Sequence, residues 1–202
     1  KEVIIILGEV IETRSKETGN HVRRVAEFSY LLALKYGLDQ TQAELLRIAS
    51  PMHDVGKVGI PDDVLMKPGK LDLSEVEIIQ RHTQIGYEIL KNSKREIMEA
   101  AKIAASQHHE RWDGKGYPKG RKGEETHIFG RITALTDVFD ALLHKRVYKE
   151  AWDLQKVLNY ILDERAKHFD PRLVDIFMES IDEIIAINQK FPNEKRAGLE
   201  NN

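Results

Sequence analysis

Two histidines stand side by side in "SQHHERWDGKGYP" (residues 106–118), after an apolar run and before a loop broken by glycines. Five of the chain's eight histidines, His21, His53, His82, His108 and His109, fall at or near helix ends or loop junctions. Glu17 stands four residues before His21, so the two share a face if a helix begins there. "HD" at 53–54 closes an apolar stretch, and Asp137 lies inside another, where a carboxylate needs a partner. Singly, each is ordinary. A lone histidine on an apolar face is usually a satisfied core residue, and Asp54 alone would serve as a helix-end charge. Together, in a chain without cysteine, they point to a metal held by imidazole and carboxylate. Such donors suit divalent first-row ions: Mn, Fe, Co, Ni or Zn. A carboxylate can bridge two cations, and two cations ~3.5–4 Å apart can make a hydroxide nucleophilic for in-line attack on phosphorus.

The remaining composition excludes several classes. With 202 residues and 41% apolar content, one domain with a sizeable core is expected. The net charge of −2 provides no broad basic field for DNA or RNA, so any phosphate site must be a local cluster. Without cysteine there are no disulfides and no thiolate chemistry. No apolar run approaches the ~20 residues of a membrane span, and a cytoplasmic location is the default expectation.

The elements that must position these side chains read as helices, and the expected fold class is all-α. Val3, Ile6, Leu7, Val10 and Ile11 form a helical stripe, either a first core helix or the end of a helix arriving from an upstream domain. Apolar periodicity continues from His21 to Tyr36. Thr41 with Glu44 reads as a capping box for a helix reaching about Asp54, and Ser74 with Glu77 as another for a helix reaching about His82. "TQIGYEILKN" reads as a separate short helix. Further helices are expected over Lys94–Gln107, Ile128–Leu143, Leu154–Ala166 and Pro171–Gln189, with Asp153 and Pro171 at helix starts. The Gly- and Pro-rich stretches 55–72 and 112–127 read as loops. Residues 1–12 are taken as the N-terminal helix, 13–190 as the domain and 191–202 as a frayed tail.

"HDVGK" (53–57) resembles the His-Asp signature of the HD-domain metal-dependent phosphohydrolases. "HHERWDGKGYP" (108–118) resembles that of their HD-GYP subgroup. "ETGNHVRRV", "RHTQIGYEIL", "DVFDAL" and "HFDPRLV" follow in the expected order, so the resemblance spans residues 11–177. It implies a helical bundle with a centre of two or three divalent metals, Fe or Mn favoured, that hydrolyses cyclic di-GMP to linear pGpG and onward to GMP if three metals bind. By the same resemblance the metal ligands are Glu17, His21, His53, Asp54, His82, His108, His109 and Asp137, with Asp54 bridging. The catalytic residues are Asp54 and Lys57, the latter one turn on and near a substrate phosphate or the nucleophile. Arg146 and Lys149 would contact the dinucleotide phosphates, where a guanidinium fork pairs well with phosphate oxygens. Asp140 would either orient a ligand or meet a base edge of the substrate.

Two segments depart from the family pattern, "HIFGRI" (127–132) and Leu143–His144, and they bear on substrate preference. His127 and His144 themselves read as surface or loop residues. The loop after His109 is either packing, held by Trp112 and Tyr117, or a support for the substrate pocket or a surface for a partner. Two other functions compete: an HD phosphohydrolase acting on another cyclic dinucleotide or nucleotide, and a non-catalytic signalling module. The N-terminal stripe is consistent with an upstream sensory or receiver domain and with a homodimer.

Overall fold

The computed structural model describes residues 2–15, 19–144 and 151–192. Among them are ten α-helices: α1 (Glu2–Arg14), α2 (Gly19–Tyr36), α3 (Gln40–Ala49), α4 (Asp62–Leu65), α5 (Leu73–Leu90), α6 (Glu96–Gln107), α7 (Ile128–Leu143), α8 (Leu154–Asp163), α9 (Pro171–Glu179) and α10 (Ile181–Lys190). The all-α expectation holds. No helix among the described residues is long and apolar enough to cross a membrane. The expected tail lies outside the described residues from 193 onward.

α2 and α7 form the centre of the bundle. Phe139 of α7 meets Phe28 of α2 and Phe177 of α9 edge-on, with centroids 5.5 and 5.0 Å apart. Leu32, Leu46, Leu135 and Leu173 fill the space around them without exposure. Burying apolar side chains of this size stabilises the fold by roughly 1.5–3 kcal/mol each. The small residues Ser29 and Thr136, whose hydroxyls lie 3.1 Å apart, let the two central helices meet closely.

Several local readings are corrected. Asp39, not Thr41, caps α3, its carboxylate accepting from the Gln42 amide at 2.8 Å. The capping box of α5 is Asp72 with Glu75, each carboxylate accepting the other's backbone N–H at 2.9 Å, rather than Ser74 with Glu77. α5 then runs unbroken through the polar "HTQ" where a boundary was expected. Thr83 bonds back to the Gln80 carbonyl at 2.8 Å, so its hydroxyl is satisfied inside the helix. The last expected helix is divided at Ser180, which leaves helical geometry (φ −101°, ψ 12°) and turns Ile184 into the core.

Candidate metal centre

The "HD" dipeptide does not lie on a regular helix. After α3 the chain tightens into two 3₁₀ turns, Ser50–Met52 and Val55–Gly59, with Pro51 at the start of the first and Asp54 between them. Gly56 lets the second turn press directly on α5: a Cβ there would lie 1.8 Å from the His82 carbonyl oxygen. That close approach sets Asp54 against His82. α6 ends at His108, and α7 supplies Asp137 and Asp140.

The imidazoles are oriented from behind. Nδ1 of His53 lies 2.8 Å from the Ser50 carbonyl, Nδ1 of His82 2.7 Å from that of Ile79, and Nδ1 of His108 2.9 Å from that of Ala104. Each carbonyl accepts the Nδ1 proton, which leaves Nε2 as a lone-pair donor facing the centre. His21 has the same arrangement with a carboxylate, its Nδ1 lying 2.7 Å from Asp140 Oδ2.

Asp54 is the hub. Its Oδ1 lies 3.2 Å from His82 Nε2 and 3.6 Å from His108 Nε2, while its Oδ2 lies 3.3 Å from His53 Nε2 and 2.6 Å from Lys57 Nζ. Asp137 Oδ1 lies 3.6 Å from His21 Nε2 and 3.9 Å from His53 Nε2. Donor atoms of Asp54, His82, His108 and His109 fall within 4.8 Å of one another, and so do those of Glu12, His21 and His53. His53 Nε2 and Asp54 Oδ1 are buried without a hydrogen bond of acceptable geometry. Buried polar atoms are ordinarily satisfied, and atoms aimed at a common point by their outer partners are what a cation requires. The donor set therefore fits divalent metals.

The charges agree with that reading. Burial opposes protonation of His53, but the carboxylates of Asp54, Asp137 and Glu12 outweigh it and raise its pKa to about 10. Asp54 is held well below the usual carboxylate range by Lys57 and His53 despite its burial. Burial depresses His82 to about 4 and, with the neighbouring imidazoles, drives His109 far below its ordinary value.

The centre opens onto a cavity of about 170 Å³ lined by Asp54, Lys57, Ile79, His82, His109, Tyr117 and Asp137 among others. Tyr117 stacks on His109 with centroids 4.7 Å apart and an interplanar angle of 21°. The loop carrying it is closed by buried Glu110, whose carboxylate accepts the amides of Lys119 and Arg121 at 2.8 and 2.9 Å. Gly116 is required there, since a Cβ would lie 2.5 Å from the His109 carbonyl oxygen. Backbone bonds from Trp112 to the His168 carbonyl and from Asp113 to that of Lys167, 3.0 and 2.8 Å, tie the loop to the turn before α9. Trp112 belongs to the anchored half of the loop, and Tyr117 lines the cavity.

The structure thus brings His21, His53, Asp54, Lys57, His82, His108, His109 and Asp137 together. Glu17, Arg146 and Lys149 lie outside the described residues. For Asp140 the substrate contact is corrected: it is 1% exposed and both oxygens are engaged, Oδ1 with Arg24 Nε at 2.5 Å and Oδ2 with Arg24 Nη2 at 2.9 Å as well as with His21. It holds His21 and offers nothing to a base edge. His144 stands just past α7, as a loop residue, and packs inward: its Nδ1 lies 3.3 Å from Asp140 Oδ1 and 16% of its side chain is exposed. His127 does sit on the surface, where it caps α7 by accepting the Phe129 amide at 3.1 Å. Two participants were missed in the sequence. Arg24 stands in "ETGNHVRRV" with no role assigned to it, and Glu12 stands outside the quoted motifs; both are 1% exposed.

The HD domain family model matches residues 6–173. This chain belongs to the HD domain family. Relatives of this chain are named as phosphodiesterases of cyclic dinucleotides. The chain is 48% identical over 193 residues to the 3′3′-cGAMP-specific phosphodiesterase 2 of Vibrio cholerae, covering 96% of this chain and 37% of that protein. It is 42% identical over 178 residues to the cyclic di-GMP phosphodiesterase response regulator RpfG of Xanthomonas campestris, covering 88% and 47%. The HD-domain chain therefore spans half or less of the length of these two relatives. Among solved structures, a cyclic GMP-AMP-specific phosphodiesterase of V. cholerae shares the fold with a TM-score of 0.70 at 19% identity, over 92% of this chain and 50% of that one.

Proposed function

We propose that the protein hydrolyses a phosphodiester of cyclic di-GMP, giving linear pGpG and, on a second cut, GMP. The carrying observation is Asp54, whose two oxygens face two different imidazole sets, His82 with His108 on one side and His53 on the other. A carboxylate so placed would be shared between two cations when they bind. Relatives named as phosphodiesterases of cyclic dinucleotides, covering 88–96% of this chain, support the substrate class. Two or three divalent ions, Fe or Mn, are the proposed cofactors; when bound they would supply a hydroxide at neutral pH and neutralise charge on phosphate oxygens.

The chain's own groups supply the rest. Asp54 and Asp137 hold negative charge between the imidazoles. Lys57, 14% exposed at the cavity edge, holds Asp54 in place and presents its ammonium to a non-bridging phosphate oxygen as charge builds there. Tyr117 and His109 wall the side from which the dinucleotide enters. Arg146 and Lys149 are proposed to bind its phosphates, on the strength of the resemblance. The proposed setting is cytoplasmic signalling, with an upstream sensory or receiver domain and a homodimer. The outward apolar residues of α1, Val3, Ile6, Leu7 and Val10, support both proposals.

The test is turnover of cyclic di-GMP by Mn- and Fe-loaded protein, with products resolved by chromatography and 3′3′-cGAMP run in parallel because of the relative at 48% identity. Linear product is expected, and Asp54→Ala is expected to lose at least about a thousandfold in rate through separation of the cations. Preferential turnover of 3′3′-cGAMP would transfer the assignment to the hybrid nucleotide. Absence of turnover across pH and metals would refute it.

A further inference from the structure

Glu12 comes from outside the signature motifs, yet it reaches the centre. Only Gly8 and Glu12 of α1 are buried, one helical turn apart. Gly8 sets the contact: a Cβ would lie 2.5 Å from the Pro51 carbonyl oxygen, two residues before His53. The bare backbone at Gly8 lets α1 lie on the 3₁₀ turn that leads into the "HD" pair. The next turn of α1 then delivers Glu12 among His21, His53 and Lys57. Arg14 locks the end of the helix to the same segment, donating to the Lys57 carbonyl at 2.9 Å and the Ile60 carbonyl at 3.2 Å, and pairing with Asp62 at 2.6 Å.

A carboxylate that is 1% exposed needs cations. Lys57 Nζ is 3.3 Å from Glu12 Oε2, but the same ammonium is 2.6 Å from Asp54. One lysine charge is thus shared between two buried carboxylates, with Asp137 close by, and the Ser15 hydroxyl donates to Glu12 Oε2 at 2.9 Å. Next to Glu12 stands the fully buried Nε2 of His53, 3.3 Å from Asp54 Oδ2 but without a hydrogen bond of acceptable geometry.

We infer that Glu12 is itself a metal ligand, completing with His21 and His53 the second half of the centre, so that a divalent first-row cation bound there ties α1 to the bundle. The inference rests on the metal-centre reading above and adds a ligand that the signature motifs do not contain. One carboxylate oxygen and two imidazole nitrogens within 4.8 Å of one another form a donor set such ions accept. Because the ligand sits on α1, occupancy and the position of that helix become linked: displacement of α1 draws a ligand away, and filling the site holds the helix down.

Glu12→Gln keeps the size and removes the charge. Metal analysis after loading with Mn²⁺ is expected to show about one ion per chain fewer than wild type, with the Asp54–His82–His108–His109 half still filled. Wild-type stoichiometry and affinity in Glu12→Gln would overturn the inference and leave the phosphodiesterase reading standing. Failure of the wild-type protein to bind any divalent metal would sink both. If the variant does not fold, hydrogen exchange on the wild-type protein decides. Amides of α1 are expected to gain protection on adding Mn²⁺ and lose it with chelator, and equal exchange in both states would refute the tie.

Discussion

The histidines of the centre are shaped less by what they face than by what holds them from behind. Carbonyls hold His53, His82 and His108, but His21 depends on Asp140, which is in turn clamped by Arg24. Arg24 also donates to the Phe191 carbonyl at 2.8 Å, and Asn20, beside His21, donates to that of Pro192 at 2.6 Å. The segment just after α10 is thereby tied to the helix that carries His21. Asp140→Asn should release His21 and leave a buried guanidinium under-compensated. We expect a loss of roughly 10–100-fold in metal affinity and about 3 kcal/mol in stability, read by calorimetric titration and by urea unfolding. Unchanged affinity would show that His21 keeps its orientation unaided. This chain of partners is not legible in the sequence, where Arg24 and Asp140 are 116 residues apart and nothing pairs them.

Among the elements, the 3₁₀ pair around Asp54 matters most. Its glycine-rich stretch reads as loop, because periodicity has nothing to grip over such short turns. The reason for the glycine becomes visible only when α5 is in place. Gly56→Ala would drive a Cβ into the His82 backbone, where no side chain can swing aside. Overpacking of this kind costs about 1–3 kcal/mol or more. The variant should melt earlier, and metal should restore less of its stability than in wild type because Asp54 and His82 are pushed apart. A melting temperature and a metal response like those of wild type would refute the close fit. Helix identity was legible wherever a 3.6-residue period ran long, as in α2, α6 and α7. Helix ends were less so, because Asp39 and Asp72 compete with nearby Thr41 and Ser74 for the capping role, and only the backbone course chooses between them.

At the scale of the whole molecule, the loop that walls the pocket leans on the turn before α9, so stability there bears on the site. His168 lies in that turn, stacked on Phe169 at 4.3 Å, and burial lowers its pKa to about 4 from an ordinary 6.5. Between those values the unfolded chain binds a proton that the folded chain refuses. Stability is therefore fully present above pH 6.5 and declines as pH falls to about 4, by up to about 3 kcal/mol from this group. His82 and His109 contribute in the same direction, so the difference between wild type and His168→Gln isolates the term. Urea unfolding of metal-free protein should show a shallower acid decline in the variant, and identical slopes would remove His168 from the account.

The sequence by itself determined the helical class, the metal-type donor set and the family, because donor chemistry is carried by residue identity and helical burial by period. Tertiary structure alone decided that Asp54 faces two imidazole sets, that Asp140 serves His21 rather than a substrate, and that Glu12 arrives from α1. Those facts depend on close approaches between elements far apart in the chain, at Gly8, Gly56 and Gly116, and no local pattern encodes which surfaces will meet there.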